Sequence, residues 1–242
     1  MERLIYSIIL AYFILGGIGF YLINRNKAPE IARKSYTKFG VYFIIIHILF
    51  FSITVQSIVF RYLAVLIVVV GYFELCRLFA NTKFQHTLFF VISLMVFFIL
   101  SAGLLVFSQT ADNLILLTFL ILSIFDSFSQ IIGQLLGKTK IIPNISPKKT
   151  LEGVVGGTII SLISTFLLKS LFTGTIAELF IFAIGTIVFA FAGDVLASLY
   201  KRKYKVKDYS KLIPGHGGFL DRFDSLIAGG AWAAFAIKFL EI

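Results

Sequence analysis

The chain has 242 residues, 59% of them hydrophobic and 14% charged, with a formal net charge of +10 at pH 7 and a mean hydropathy of +0.97. So few polar groups cannot cover a water-exposed surface, which excludes a soluble globular protein and predicts an integral membrane protein. The single cysteine, Cys76, excludes an internal disulfide framework and a cysteine-based metal site.

Apolar runs of about 20 residues, each able to cross ~30 Å of hydrocarbon, are predicted at 4–23, 39–60, 62–80, 87–108, 113–136, 152–173, 177–200 and 220–240. The expected fold is an all-α polytopic membrane protein of about eight transmembrane helices with a polar cavity open to the cytosolic side. It forms a single membrane domain over 1–242, with N-terminal spans in 1–110 and catalytic spans and loops in 111–242. The opening "MERLIYSIILAYFILGGIGF" stays apolar to Ile23 and no small-residue cleavage site follows, so it is expected to be a span and not a signal peptide. The loops 24–38, 81–86, 137–151 and 201–219, with their flanks, hold 18 of the 22 Lys and Arg residues, leaving Arg3, Arg61, Lys169 and Lys238 elsewhere. The positive-inside rule puts those loops in the cytosol and both termini opposite. It also accounts for the basic balance without a nucleic-acid partner.

In the third span, Glu74 and Arg77 stand at i and i+3 and are expected to neutralise each other. Asp126, in "LSIFDSFSQIIGQLLGK", falls inside the fifth span, about 16 Å from its cytosolic end. A carboxylate at that depth is costly, and it reads either as a helix-packing contact to Ser127, Ser129 or Gln130 or as the wall of a hydrophilic cavity. The next loop, "GKTKIIPNISPKKTLEGVVGG", offers Ser146, Lys148, Lys149 and Thr150 as phosphate donors. Ser146 or Thr150 is expected to cap the following helix, Glu152 to complement its dipole, and Gly153, Gly156 and Gly157 to pack against a neighbouring helix. Asp194, in "FAFAGDVLASLYKRK", has Ser198 at i+4 on the same face; it reads as a salt bridge to a nearby lysine or as a second cavity wall.

The stretch 207–224, "KDYSKLIPGHGGFLDRFD", concentrates charge and glycine between two apolar runs. Gly215, Gly217 and Gly218 permit positive φ and close approach of backbone N–H groups to an anion, and His216 among them reads as a base, a phosphate donor or a turn residue. Asp221 and Asp224 lie one turn apart at the start of the last span and repel unless a cation lies between them. A hard divalent ion, magnesium, completed by water and phosphate oxygens, suits such a pair. Lys201, Arg202, Lys203, Lys205, Lys207, Lys211 and Arg222 supply neutralising charge for phosphates. With no GxxxxGK[ST] loop and no HExxH, a P-loop ATPase and a zinc protease are not indicated. Residue types and spacing lead to phosphoryl or nucleotidyl transfer to a lipid, and no further.

The run "SLYKRKYKVKDYSKLIPGHGGFLDRFDS" closely resembles the signature of the phosphatidate cytidylyltransferases, also called CDP-diacylglycerol synthases. Ser198, Lys201, Arg202, Lys207, Asp208, Pro214, Gly215, His216, Gly217, Gly218, Asp221, Arg222 and Asp224 match it without a gap. The upstream "ISPKKTLEGVVGG" resembles the family's second motif, and the likeness covers about residues 120–230. The resemblance implies transfer of CMP from CTP to phosphatidate in the membrane, giving CDP-diacylglycerol and pyrophosphate, with Mg2+ required and a second metal compatible. It implies metal and triphosphate organisation by Asp194, Asp221 and Asp224, and phosphate neutralisation by Lys201, Arg202, Lys207 and Arg222. Asp208 and His216 join the catalytic set, and Asp126, Ser146, Lys149, Thr150, Ser198, Gly217 and Gly218 the substrate-binding set. The expected location is a bacterial cytoplasmic (inner) membrane with the site facing the cytosol, and a homodimer is compatible with it. A CTP-dependent polyprenol-type lipid kinase and a transporter are the alternatives.

Overall fold

Residues 2–213 and 217–241 are described in a computed structural model of the chain, and the expectations for Pro214, Gly215 and His216 lie outside the described residues. Among the described residues eight α-helices follow one another: α1 Glu2–Asn24, α2 Pro29–Thr54, α3 Ser57–Asn81, α4 Thr87–Phe107, α5 Asp112–Leu135, α6 Leu151–Leu167, α7 Ile176–Lys203 and α8 Leu220–Leu240. All but α6 are long and apolar enough to cross a membrane by length and composition, so the chain is an all-α polytopic membrane protein. A small antiparallel hairpin, β1 Lys140–Ile142 with β2 Ser146–Thr150, joins α5 to α6 and was not expected.

Three boundaries differ from the sequence expectation for local reasons. α2 begins at Pro29 instead of 39, because Pro29 at the first helical position has its φ preset and Glu30 suits the dipole of the first turn. The break before α3 falls at Val55 and Gln56, with Gln56 extended, so Arg61 lies inside α3; the β-branched run Ile53–Thr54–Val55 has low helix propensity. α6 stops at Leu167 and passes into a 3₁₀ turn at Lys169–Leu171 instead of running to 173. Ser164 and Thr165 there turn their hydroxyls back onto the carbonyls of Ile160 and Ser161, a habit that bends and weakens a helix.

α5 is the centre of the bundle, packing most closely on α6 and also on α1, α2, α7 and α8, with Ile115, Leu117 and Ile121 fully buried. Lipid tails are as apolar as leucine, so helix association in the membrane relies on close packing and hydrogen bonds. The glycines at the start of α6 serve that packing as expected: a Cβ on Gly157 would fall 2.8 Å from the Ser129 nitrogen of α5. α8 lies against α7, α4, α3 and α5. The connections 82–86, 136–150 and 204–219 meet at one end of the bundle. There His86 and Phe89 pack on Tyr204, and Arg202 reaches Ile145.

Candidate active site

The site is built where α7 crosses α8. A Cβ on Gly193 would lie 2.8 Å from the Asp224 carbonyl oxygen, so only glycine lets the two backbones approach this closely. The contact puts Asp194 of α7 within electrostatic reach of Asp224 of α8 and of Asp126 of α5. Asp194 pairs with Lys149, so the salt-bridge reading holds, with a partner from the hairpin. The Lys149 ammonium also rests 4.3 Å above the Phe191 ring.

Asp126 is exposed although α5 runs through the middle of the bundle, and it faces Asp194, Lys149, Arg222, Ser225 and Tyr42. Its expected packing partner Ser127 instead donates to Tyr42, which donates to the Ser123 carbonyl. Asp224 accepts from the Ser225 N–H at 2.7 Å through Oδ1, while its Oδ2 is buried and, among the described residues, has no hydrogen-bond partner; Arg222 Nε is likewise buried and bare among them. Buried polar groups are ordinarily satisfied, because an unmade bond costs about 1–3 kcal/mol. One bare acceptor and one bare donor in the same turn of α8 are what a ligand would complete. Among the described residues no three acidic, histidine or cysteine side chains gather as a metal cage.

Asp221 has a different environment. Its Oδ1 pairs with Lys201, and its Oδ2 accepts from the Tyr209 N–H at 2.9 Å and the Gly218 N–H at 2.8 Å. Both residues of the pair are buried, at 7% exposure each, so the ions satisfy each other away from solvent. Tyr209 completes this knot with its hydroxyl donating to the Ala197 carbonyl and Lys201 lying 5.1 Å over its ring. Burial, and then the negative charge of Asp224 and Asp221, push the Tyr209 hydroxyl well above the usual phenol range and keep it a neutral donor. Gly217 sits at φ +90° with its N–H committed to Ile213, and Asp208 packs where a Cβ would be.

The remaining predicted residues divide between bracing and an open basic face. Arg202 donates from Nε to the Ile145 carbonyl at 3.1 Å and from a terminal nitrogen to the Val206 carbonyl at 2.8 Å, tying the hairpin to the 204–219 loop. Thr150 caps α6 through Gly153, while Glu152 accepts from the Lys138 and Thr139 N–H groups and closes the base of the hairpin. Ser146 opens β2, half-buried, and Ser198 is buried one turn beyond Asp194. Lys207 and Lys148 are exposed and share their electrostatic surroundings with Arg222, Asp208 and Lys38 of α2. Lys38, not singled out by the sequence, is the last basic residue before the apolar run of α2, and that position was the available signal.

Glu74 is a correction. Arg77 is exposed and no ion pair joins the two among the described residues. The Glu74 carboxylate, 3% exposed, accepts instead from Ser210 Oγ at 2.6 Å, the Phe219 N–H at 2.9 Å and the Leu220 N–H at 2.6 Å. The i, i+3 spacing permitted a pair, but backbone donors of the loop, already out of water, bind an acid more strongly than a solvated arginine does.

Beside this polar cluster, a cleft of about 170 Å³ between α5, α6 and α7 is lined by Phe125, Val154, Thr158, Ile184, Ile187, Val188 and Phe191. Phe191 therefore belongs both to the apolar cleft and to the seat of Lys149.

The model of the cytidylyltransferase family matches residues 31–240. Proteins named phosphatidate cytidylyltransferase are 45% identical over 116 residues in Staphylococcus saprophyticus, 40% over 136 in Rickettsia bellii and 40% over 121 in Haemophilus influenzae. These alignments cover 47%, 52% and 48% of this chain and 44%, 59% and 42% of the respective relatives. The chain thus spans about half the length of the curated relatives it matches.

Proposed function

The chain belongs to the cytidylyltransferase family, and from its site we propose that it transfers CMP from CTP to the phosphate of a membrane lipid, phosphatidate, releasing pyrophosphate. The observation that carries this reading is the bare buried pair in one turn of α8, Asp224 Oδ2 and Arg222 Nε, set beside Asp194 and an open basic face. The names of the relatives support the choice of CTP and phosphatidate. The basic loops support a site facing the cytosol, and the bacterial relatives support a bacterial inner membrane.

The lipid phosphate monoester is anionic near neutral pH and needs no strong base. One of its oxygens attacks the α-phosphorus of CTP, the bond to the bridging oxygen breaks, and the electron pair leaves with pyrophosphate. Positioning and charge neutralisation then supply the rate. Arg222, Lys207, Lys148 and Lys38 face the triphosphate. Lys149 is assigned to the lipid phosphate, a reading supported by its ring support, Phe191, which also walls the apolar cleft. Asp126 lines the approach and, as an acid, excludes phosphate from any depth beyond the lysine.

Magnesium is held elsewhere by one or two carboxylates plus phosphate oxygens, and the bare oxygen of Asp224 with the Asp194 oxygen that Lys149 does not engage fits that requirement. When bound, it would neutralise charge on the triphosphate and the leaving pyrophosphate. Asp221, with both oxygens engaged, serves as the anchor of the loop. Purified protein given CTP labelled at the α- or γ-phosphate tests the reading. Label from the α position in the lipid product is expected, and label only from the γ position would mean phosphoryl transfer to an alcohol and overturn it.

A further inference from the structure

The buried acid that the proposed chemistry leaves unused is Glu74 of α3, outside both motifs read from the sequence. Helix α8 carries Asp221, Arg222 and Asp224 in its first turns, yet its N-cap residue, Phe219, offers no side-chain acceptor. The free N–H groups at a helix start need partners, and when buried they are costly to leave bare. Glu74 supplies them across the bundle, accepting from Phe219 and Leu220, and it also binds the Ser210 hydroxyl. A Cβ on Gly218 would lie 2.7 Å from the Glu74 oxygen, so the carboxylate packs directly against Gly218. One residue on, Tyr200 of α7 donates to the Leu75 carbonyl at 2.9 Å, which fixes the same stretch of α3 to the helix bearing Asp194.

We propose that Glu74 is a positioning residue: it caps α8 from α3 and so sets the aim of Arg222 and Asp224 relative to Asp194, without touching substrate. The inference rests on the nucleotidyl-transfer reading for its consequence in turnover, but not for its geometry. Neutralising the acid leaves one acceptor oxygen where two now serve three donors, and turns an amide toward backbone N–H groups. A displacement of the order of 1 Å at a reacting group costs about 100-fold in rate, so Glu74→Gln is expected to lower kcat by about 10- to 100-fold while the KM for CTP changes far less. Glu74→Asp keeps the charge and should recover part of the loss. Ser210→Ala, which removes one of three donors and spares the helix cap, should cost less than Glu74→Gln. Arg77→Ala should leave turnover unchanged.

The deciding measurement is amide hydrogen exchange in detergent or nanodiscs. In Glu74→Gln, exchange at Phe219 and Leu220 should accelerate at least about tenfold, the equivalent of one lost hydrogen bond, with α5 amides unaltered. Unchanged exchange at those two amides, or an equal loss of protection throughout the bundle, overturns the proposal. So does a kcat for Glu74→Gln equal to that of the parent protein. If the parent protein forms no α-labelled lipid, the nucleotidyl-transfer reading falls, and exchange at Phe219 and Leu220 alone decides the cap.

Discussion

Replacing Asp224 by asparagine should move stability and activity in opposite directions. Asp224 Oδ1 accepts one backbone hydrogen bond, which the asparagine oxygen retains, while Oδ2 is buried, bare and near the like charge of Asp194. An unsatisfied buried polar atom costs about 1–3 kcal/mol, more if charged, and an amide N–H₂ at that position can donate toward Asp194. The variant should therefore be stabilised by at least about 1 kcal/mol, or a Tm higher by roughly 3 °C at this chain length. Its turnover should fall by about 100-fold or more, the scale on which a preorganised charge at a reacting phosphate is lost. Differential scanning fluorimetry in detergent and α-labelled CTP incorporation into lipid give the two numbers on one preparation. A variant that is less stable and still turns over would refute the argument, because the bare oxygen would then be bracing the fold and not awaiting a ligand.

Gly193→Ala should cost about 1–3 kcal/mol and most of the activity, since a Cβ there meets the Asp224 carbonyl oxygen at 2.8 Å and drives α7 from α8; paired melting and turnover measurements check it. Arg202→Lys should raise the KM for CTP by about tenfold with little change in kcat, because an ammonium cannot bridge the Ile145 and Val206 carbonyls as the planar guanidinium does. Val188→Trp, filling the cleft beside Phe191, should slow transfer to long-chain phosphatidate while sparing CTP binding, measured by nucleotide protection against thermal unfolding. Chelation should abolish transfer and Mg2+ restore it; transfer that survives chelation would remove the Asp194–Asp224 assignment.

The spans were legible because a run of apolar residues long enough for the bilayer leaves the backbone little choice but helix. Their ends were less so: Pro29 and the Ile53–Val55 run shift α2 by local rules that overall hydropathy averages away. The gathering of Asp194, Asp224, Arg222 and Lys149 was legible as residue types. The separate contacts that each acid makes were not. Asp221 and Asp224 look equivalent at i and i+3, yet a helix N-terminus points one toward the loop amides and Lys201 and leaves the other facing α7. Arg202 and Thr150 likewise carry the right chemistry for phosphate but are committed to carbonyls and a helix cap. Glu74 escaped because its partners are backbone groups 145 and 146 residues away, and no spacing rule reaches that far.

The brevity of α6 has a mechanical consequence. Its 17 residues rise only about 26 Å, several ångströms short of the hydrocarbon thickness its neighbours match. A bilayer matched to so short a helix would thin beside it, at a fraction of a kcal/mol per ångström, next to the cleft whose Phe191 also seats Lys149. A headgroup there would sit deeper than its neighbours, and thicker bilayers should make that descent steeper.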